Sequence, residues 1–319
     1  MRKVFSLLCA VVFLMVSLPA FGEETGIRVT EEEGGEFRPL TLDLEGGSEL
    51  PFTFKYNTKN QFYEDPTIRV DRRQESEHDK FKCTYWYAII TLRDPSQLRT
   101  ASADERKPFL GNATNTSIVM ARRKKAVIAI NGDYCASFSG EKASNYILRQ
   151  GTVYRDTVTP GLDILLVDED GDFHVLVPGE TDLETVDKTQ IDGKKVVNAF
   201  QFGPALVIDG EPVADEVLLD SSRSPTHAKP EGRAQRMCIC QLDSLRYMVL
   251  CCAFHGVDLV TLRDLVLSVA PVKTAYTLDG GDSTQMVFLG RQFNSNNKNN
   301  ETVRPITDII YFASAWFTK

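Results

Sequence analysis

An aspartate followed by two glycines is the first group in the sequence that could do chemistry. Residues 277–284 read TLDGGDST, in which Asp279 precedes Gly280 and Gly281 and Ser283 follows them. Adjacent glycines let the backbone turn sharply or approach a ligand closely. Consecutive backbone N–H groups and a hydroxyl beside such a turn can bind an anion, above all a phosphate. The alternative is a plain turn between two core elements.

A second candidate lies at the end of an apolar run earlier in the chain. Residues 126–130 read AVIAI, which is typical of a strand buried on both faces, and Asn131, Gly132 and Asp133 follow this run. Proteins that combine strands and helices commonly place their chemistry at such strand ends. The alternative is a turn that merely ends the strand.

One arginine stands in an apolar hairpin. Arg236 precedes the run MCICQ at 237–241, and residues 247–254 form the second apolar run. Burying its charge is costly unless an anion or a carboxylate neutralises it. A bound substrate phosphate and a structural ion pair would both meet that requirement.

The elements that must position these residues are mostly short strands. Apolar runs predict strands at 67–71, 85–92, 126–130 and 306–312, and hairpins at 146–154, 164–177 and 236–254. The first of these hairpins is expected to turn at 149–150, and residues 198–210 are expected to form a strand–turn–strand unit. Helices are expected to begin at Asp94, to cover residues 115–125, and to begin near Asp258 or Thr261. Many short strands with few helices predict a single mixed α+β domain.

The beginning of the chain predicts export. Arg2 and Lys3 precede an apolar run at 4–18, and the small residue Gly22 closes a cleavage site. Residues 1–22 are therefore interpreted as a signal peptide, and the mature protein is expected to be secreted or located in the cell envelope. An uncleaved membrane anchor is the alternative. After cleavage we expect no membrane span, because no later segment is long and apolar enough.

Composition places further bounds on the protein. Residues 23–61 are acidic, rich in glycine and weakly periodic, so they predict a flexible arm, and residues 62–319 are assigned to the folded domain. The net charge of −8 argues against nucleic acid as a partner, although one arginine can still hold one phosphate. The cysteines and histidines have no zinc-ligand spacing. We expect no cofactor and leave a divalent cation such as calcium open.

Four stretches together resemble the phosphodiester glycosidase family. They are AINGDY at 129–134, FGPAL at 202–206, RMCICQ at 236–241 and LDGGDS at 278–283, with Arg304 before the last strand. Their order and spacing agree with the family over about residues 62–312. The resemblance implies hydrolysis of a phosphodiester-linked sugar, similar to N-acetylglucosamine, to free sugar and phosphomonoester.

The resemblance is incomplete at two positions. The family usually has Asp-Gly-Arg after the arginine hairpin, where this chain has Ala253, Phe254 and His255. Asp282 stands where the family has glycine. Three interpretations follow: an altered activity, a different substrate preference, or a proton-transfer role taken over by His255. A histidine without a role is the alternative.

The chemistry implied by the resemblance gives each candidate residue a role. Cleavage at an anomeric carbon needs a carboxylate near that carbon and positive charge beside the departing phosphate. Asp279 is the first choice for the carboxylate, as base or nucleophile, and Asp133 is the second. Arg236 is expected to bind the phosphate through two N–H groups. Further substrate contacts are expected from Asn131, Gly132, Gly203, Gly280, Gly281, Ser283 and Arg304.

Two other classes of function fit some of the same residues. The missing Asp-Gly-Arg is compatible with a non-catalytic module that binds a glycan or a phosphate. Asp133, Asp279 and Asp282 could instead be the oxygen ligands of a metal-dependent phosphodiesterase. For the glycosidase, the expected partner is a small-molecule or cell-surface glycan phosphodiester.

Overall fold

The structure is a computed structural model. It describes residues 60–78, 80–106, 108–110, 113–133, 145–225, 229–253, 255–294 and 304–315, together with the backbone of a two-stranded ribbon, β1 (Val29–Glu31) and β2 (Phe37–Pro39). The predicted signal peptide, most of the predicted arm, Tyr134 and Phe254 lie outside these residues. Within them, the strands pair in antiparallel fashion and three α-helices are present. The fold is therefore mostly β, with less helix than a mixed α+β domain suggests.

The largest sheet has eight antiparallel strands. In spatial order they are β15 (Glu211–Pro212), β14 (Ala205–Ile208), β18 (Thr274–Leu278), β16 (Met237–Asp243), β17 (Arg246–Cys252), β5 (Cys83–Leu92), β4 (Ile68–His78) and β3 (Asn60–Glu64). The two apolar runs after Arg236 pair directly as β16 and β17, as the sequence predicts.

Two smaller antiparallel sheets pack beside it. The five-stranded sheet has the order β20 (Arg291–Gln292), β19 (Met286–Phe288), β7 (Ala126–Asn131), β21 (Asp308–Ala313) and β6 (Leu98–Ser102). The six-stranded sheet has the order β11 (Phe173–Leu176), β10 (Ile164–Asp168), β13 (Lys194–Gln201), β8 (Ile147–Arg149) and β9 (Thr152–Arg155), with β12 (Gln190–Ile191) paired to β13.

The helices cover the outer faces of the sheets. Helix α1 (Ser117–Arg123) packs on the five-stranded sheet, and α3 (Leu259–Val269) packs on the eight-stranded sheet; α2 (Asp215–Leu218) is a single turn. The Asp258 carboxylate caps α3 by accepting a hydrogen bond from the N–H of Thr261 at 2.7 Å. This helix and its cap agree with the sequence prediction.

The helix predicted at Asp94 is wrong. Asp94 caps only one 3₁₀ turn, Pro95–Gln97, and the chain then continues as β6. Residues of β6 pair with β21 along its length, from Leu98 opposite Phe312 to Ser102 opposite Asp308. The capping signal is local, whereas this pairing joins segments far apart in the sequence, so tertiary structure decides the outcome.

All three larger sheets contribute to one central core. Buried side chains from the three sheets meet there, including Ile239 and Val249, Ile128 and Ile310, and Leu165 and Phe200. This packing brings the ends of β7, β13 and β18 to one place. None of the helices in the described residues is long and apolar enough to cross a membrane.

Candidate active site in the cleft beside Asp279

Asp279 lies where the eight-stranded and the five-stranded sheets meet. It directly follows the buried strand β18, and its N–H donates to the carbonyl oxygen of Gly132 at 3.3 Å. Asn131, at the end of β7, donates through Nδ2 to the carbonyl oxygen of Asp279 at 2.7 Å. The ends of two strands from different sheets therefore hold the backbone of Asp279.

Asn131 uses its whole side chain for this positioning. Nδ2 also donates to the carbonyl oxygen of Gly132 at 3.2 Å, and Oδ1 accepts a hydrogen bond from the N–H of Gln285 at 3.0 Å. The residue is buried, with 1% of its surface exposed. We therefore correct its expected role: Asn131 orients the Asp279 backbone, and both polar atoms of its side chain are already hydrogen-bonded within the protein.

The turn after Asp279 uses its N–H groups within the protein. Gly281 donates to the carbonyl oxygen of Gln235 at 2.9 Å, and Ser283 donates to that of Gly280 at 3.1 Å. The N–H of Gly280 and the side chain of Ser283 hydrogen-bond the Asp279 carboxylate. The expected phosphate-binding cradle of backbone amides is therefore not present, and Gly280, Gly281 and Ser283 serve instead to shape and hold the turn.

The two glycines are needed for backbone reasons. A Cβ atom at Gly280 would lie 2.6 Å from the carbonyl oxygen of Gln235, which belongs to the backbone and cannot rotate away. Gly281 has a φ of +57°, in the left-handed region that favours glycine. Close contact and chain reversal thus explain the paired glycines.

The environment of Asp279 changes its acidity. Burial raises the pKa of its carboxyl group to about 6, because desolvation disfavours the charged form. The hydrogen bonds from Ser283 and Gly280 and the positive charge of Arg304 lower this pKa without offsetting the desolvation. Protein atoms enclose the carboxyl group, yet part of the residue stays accessible from a cleft. Such a carboxylate is mostly ionised at neutral pH and can accept a proton.

The cleft beside Asp279 has a volume of about 440 Å³. Its lining comes from residues within 202–203, 224–225, 229–236 and 277–282, together with Leu259 and Arg304. Four of the lining residues are basic and two are acidic: Lys229, Arg233, Arg236, Arg304, Asp279 and Asp282. The protein as a whole has a net charge of −8. The cleft is therefore a local region of positive charge, which favours an anionic ligand.

Arg236 lines this cleft as a buried cation without a carboxylate partner in the described residues. Nε donates to the carbonyl oxygen of Val257 at 3.1 Å, and Nη2 donates to those of Lys229 and Gly232 at 2.6 and 2.9 Å. Desolvation lowers the pKa of the guanidinium. Within the described part of the chain Nη1 makes no hydrogen bond. The expected two-nitrogen clamp is therefore reduced to one nitrogen, Nη1, that can face a phosphate.

Gly203 and Arg304 line the cleft as the sequence predicts. The loop at Gly203, which has a φ of +72°, is held by Tyr276 of β18, whose hydroxyl accepts the Phe202 N–H at 2.9 Å. The same hydroxyl donates to the carbonyl oxygen of Asp163 at 2.7 Å. Arg304 is exposed at the rim, and its charge acts on Asp279.

Asp133 does not line the cleft. Its carboxylate is fully buried and accepts a hydrogen bond from Arg149 Nη2 at 2.6 Å and from the N–H of Gln201 at 2.9 Å. Arg149 is fully buried as well and packs over the ring of Phe200. The ion pair neutralises this carboxylate in the core, so the assignment of Asp133 as a catalytic group is corrected to a structural one.

His255 is also outside the site. It is exposed, and it lines neither the cleft nor the small pocket beside Asp279. Its carbonyl oxygen accepts a hydrogen bond from Arg233 Nε at 3.2 Å. The histidine therefore supports a residue of the cleft wall through its backbone, and the catalytic role expected for its imidazole has no geometric basis.

Sequence reasoning missed Asp308, Arg149, Lys229 and Arg233. Asp308 begins β21 and lines the small pocket together with Asp279 and Gly132. A Cβ atom at Gly132 would overlap the Asp308 carboxylate, which explains this glycine as a close approach rather than a substrate contact. The sequence signal that could have identified Asp308 is an acidic residue within the otherwise apolar strand predicted at 306–312.

The described residues offer no group of three or more His, Cys, Asp or Glu side chains arranged to hold a metal ion. Asp133, one of the three ligands considered above, is paired with Arg149, and Asp282 is exposed. These three aspartates therefore do not form a ligand set. The expectation that the reaction needs no cofactor remains a prediction.

Fold and site together define a mostly antiparallel β protein with a cationic cleft around one carboxylate of raised pKa. Residues 124–313, more than half of the chain, match the family model of the phosphodiester glycosidases. The chain belongs to this family, which confirms the resemblance of the four sequence stretches. No curated protein matches the sequence.

Two solved structures share the fold. The zebrafish N-acetylglucosamine-1-phosphodiester alpha-N-acetylglucosaminidase catalytic domain, auto-inhibited by its pro-peptide, has a TM-score of 0.60 and 15% identity, over 82% of this chain and 89% of the zebrafish chain. A hypothetical protein from Synechocystis has a TM-score of 0.51 and 13% identity, over 79% of this chain and 63% of that one. At these identities the likeness concerns the fold alone.

Proposed function

We propose that the protein is an exported glycosidase that hydrolyses a sugar-1-phosphodiester to free sugar and phosphomonoester. The observation that carries this proposal is that Asp279, a carboxylate with a pKa of about 6, lies in a cleft where basic residues outnumber acidic ones by four to two. Membership of the phosphodiester glycosidase family supports the same reaction.

The cations of the cleft suit the departing phosphate. When the bond between the anomeric carbon and the phosphate oxygen breaks, the electron pair and the negative charge leave with the phosphate. Arg236 Nη1 and the exposed Arg304 and Lys229 supply positive charge in the same cleft. Fixed charge aimed at a developing anion is a large source of transition-state stabilisation. A phosphomonoester is also a better leaving group than an alkoxide, so strong acid catalysis is less necessary.

Asp279 supplies what the sugar half of the substrate requires. The anomeric carbon becomes electron-poor as the phosphate leaves, and a carboxylate beside it can accept a proton from attacking water or attack the carbon itself. Both roles require the ionised form, which predominates above a pH of about 6. The Asn131 amide and the Gly280–Ser283 turn hold this carboxylate in place, as described above.

The first sugar to test is N-acetylglucosamine, because the zebrafish enzyme of similar fold is named for it. N-acetylglucosamine 1-(methyl phosphate) contains the required bond and no other charged group. We expect turnover in ¹⁸O-labelled water to place the label in the sugar and to release methyl phosphate. EDTA should leave the rate unchanged.

Other outcomes would identify the alternatives. Label in the phosphate, together with loss of the rate in EDTA, would indicate a metal-dependent phosphodiesterase. Binding without turnover, measured by calorimetry with the same compound at several pH values, would indicate a glycan- or phosphate-binding module. The Asp279→Asn variant should bind the compound but release product about 10⁴-fold more slowly.

A further inference from the structure

A second, much smaller pocket shares only Asp279 with the cleft. It lies between the end of β7, the start of β21 and the turn after β18, and its volume is about 10 Å³. A pocket of about this size holds one water molecule when polar groups line it. Two carboxylates, Asp279 and Asp308, line this pocket, together with the polar residues Ser283 and Thr307.

The protein holds the Asp308 carboxylate firmly at this pocket. Asp308 is 1% exposed, and its side chain lies against Gly132, where any Cβ atom would collide with it. Thr307 Oγ1 donates to Oδ1 at 3.4 Å, and Arg149 Nη2 lies 3.6 Å from Oδ2. The same Nη2 lies 2.6 Å from Asp133. One guanidinium therefore faces two carboxylates, with the shorter contact to Asp133.

We propose that this pocket binds the hydrolytic water between Asp279 and Asp308, and that Asp308 is a second catalytic carboxylate; the inference rests on the proposed function. The water oxygen forms a bond to the anomeric carbon while the bond from that carbon to the phosphate oxygen breaks. The electron pair of the broken bond leaves with the phosphomonoester. One water proton passes to Asp279, and the other O–H donates to Asp308 and orients the molecule.

This arrangement determines the stereochemical course. The cations that hold the phosphate line the cleft, whereas the water lies in the separate pocket across Asp279. Water delivered directly to the anomeric carbon inverts its configuration, because no covalent sugar–enzyme bond forms. If Asp279 were itself the nucleophile, a covalent intermediate would form and the configuration would be retained.

Asp133 provides a matched control for Asp308. Both carboxylates are buried and both face Arg149, but only Asp308 lines the pocket. Asp308→Ala should lower kcat by about 100-fold or more with little change in KM, since general-base networks contribute about that much. Added formate should restore part of this loss in Asp308→Ala. Asp133→Asn should lower the melting temperature more and kcat less, and formate should not restore its rate.

The experiment combines the product configuration with a structure. Proton NMR of fresh hydrolysate should show the inverted anomer of the released sugar, and a crystal structure at about 1.5 Å should show one water bound to both carboxylates. Retention, or equal kcat losses in Asp308→Ala and Asp133→Asn without formate rescue, would overturn the role of Asp308 while leaving the glycosidase function intact. If the wild type does not hydrolyse the phosphodiester, the proposed function fails, and the crystal structure alone decides whether the pocket binds water.

Discussion

Asp133 and Asp279 stand in similar places and have opposite surroundings. Each comes just after a fully buried strand, Asp133 after β7 and Asp279 after β18. Asp133 meets the guanidinium of Arg149 at 2.6 Å and lines no cleft. Asp279 meets hydrogen-bond donors and forms no salt bridge among the described residues, and one side of it opens to the cleft. The same residue type is structural in one case and chemically available in the other.

The difference shows that the charge partner of a buried carboxylate determines whether that carboxylate is available for proton transfer. A close arginine stabilises the ionised form and removes the group from proton transfer, whereas desolvation without such a partner raises the pKa into the range useful for catalysis. Each of the following variants alters one side of this comparison.

The largest effect is expected from Asp279→Asn. This variant keeps the shape of the side chain but cannot accept a proton or attack a carbon, so kcat/KM on N-acetylglucosamine 1-(methyl phosphate) should fall by about 10⁴-fold, or roughly 5 kcal/mol. Steady-state kinetics measures the loss, and circular dichroism should show an unchanged fold. A variant with more than one-tenth of the wild-type activity would remove Asp279 from the mechanism.

Asp133→Asn should mainly affect stability. It leaves the buried Arg149 without its nearest charge partner, and breaking a buried pair on one side costs about 3–5 kcal/mol. Denaturant unfolding should show this loss, while the remaining folded protein keeps most of its kcat. If Asp133→Asn instead unfolds as the wild type does and loses activity like Asp279→Asn, the two aspartates are functionally equivalent and the comparison fails.

Arg236→Ala should reduce kcat/KM by about 100-fold, or roughly 3 kcal/mol, because it removes a positive charge from the phosphate side of the cleft. It should also reduce stability modestly, since the guanidinium holds three backbone carbonyl groups. Arg263→Ala is the matched control: that guanidinium also holds a carbonyl group, at Val213, but lies outside the cleft. Equal losses of activity in the two variants would show that Arg236 acts through the fold.

The smallest effect concerns stability against pH. The folded-state pKa of Asp279 is raised from 3.8 to about 6, so the folded protein binds a proton more tightly than the unfolded chain does. The contribution of protonated Asp279 to the free energy of unfolding of the wild type is therefore lost as pH rises from about 4 to 6. Asp279→Asn does not lose this stabilisation and should be more stable than wild type by at most about 3 kcal/mol at pH 7.5, with the advantage disappearing near pH 4. Denaturant titrations at both pH values measure it; a constant difference would mean that the pKa is not raised.

Much of the fold follows from local sequence patterns. The continuous apolar run at 126–130 predicts the buried strand β7, and the aspartate before the periodic stripe of α3 predicts its cap. These signals succeed because they depend on residues close together in the chain. The helix predicted at Asp94 fails because the pairing of β6 with β21 is not encoded locally.

The site was harder to predict because single-residue register matters. The hairpin at 146–154 was predicted to turn at Arg149, but the turn lies one residue later, with positive φ at Gln150 and Gly151. That shift keeps Arg149 in β8 and directs its side chain into the core, where it forms an ion pair with Asp133. Asp308 was missed because it is a single polar residue within the strand predicted at 306–312. The glycine-rich turn and Arg236 are identified as candidate site residues from the sequence. Only the structure shows that most of their N–H groups already donate hydrogen bonds to other protein groups.

The most direct test of the central claim is the pH dependence of kcat/KM for N-acetylglucosamine 1-(methyl phosphate) between pH 4 and 8.5. This quantity reports the ionisation of the free enzyme. If ionised Asp279 drives the reaction, kcat/KM should increase about tenfold per pH unit at low pH and become level above a pH of about 6. The Asp133→Asn variant should keep the plateau and move the midpoint only slightly downward, because the Asp133 charge is the smallest of the causes that raise the Asp279 pKa. A profile that stays flat through pH 6, or that declines above it, would contradict the account.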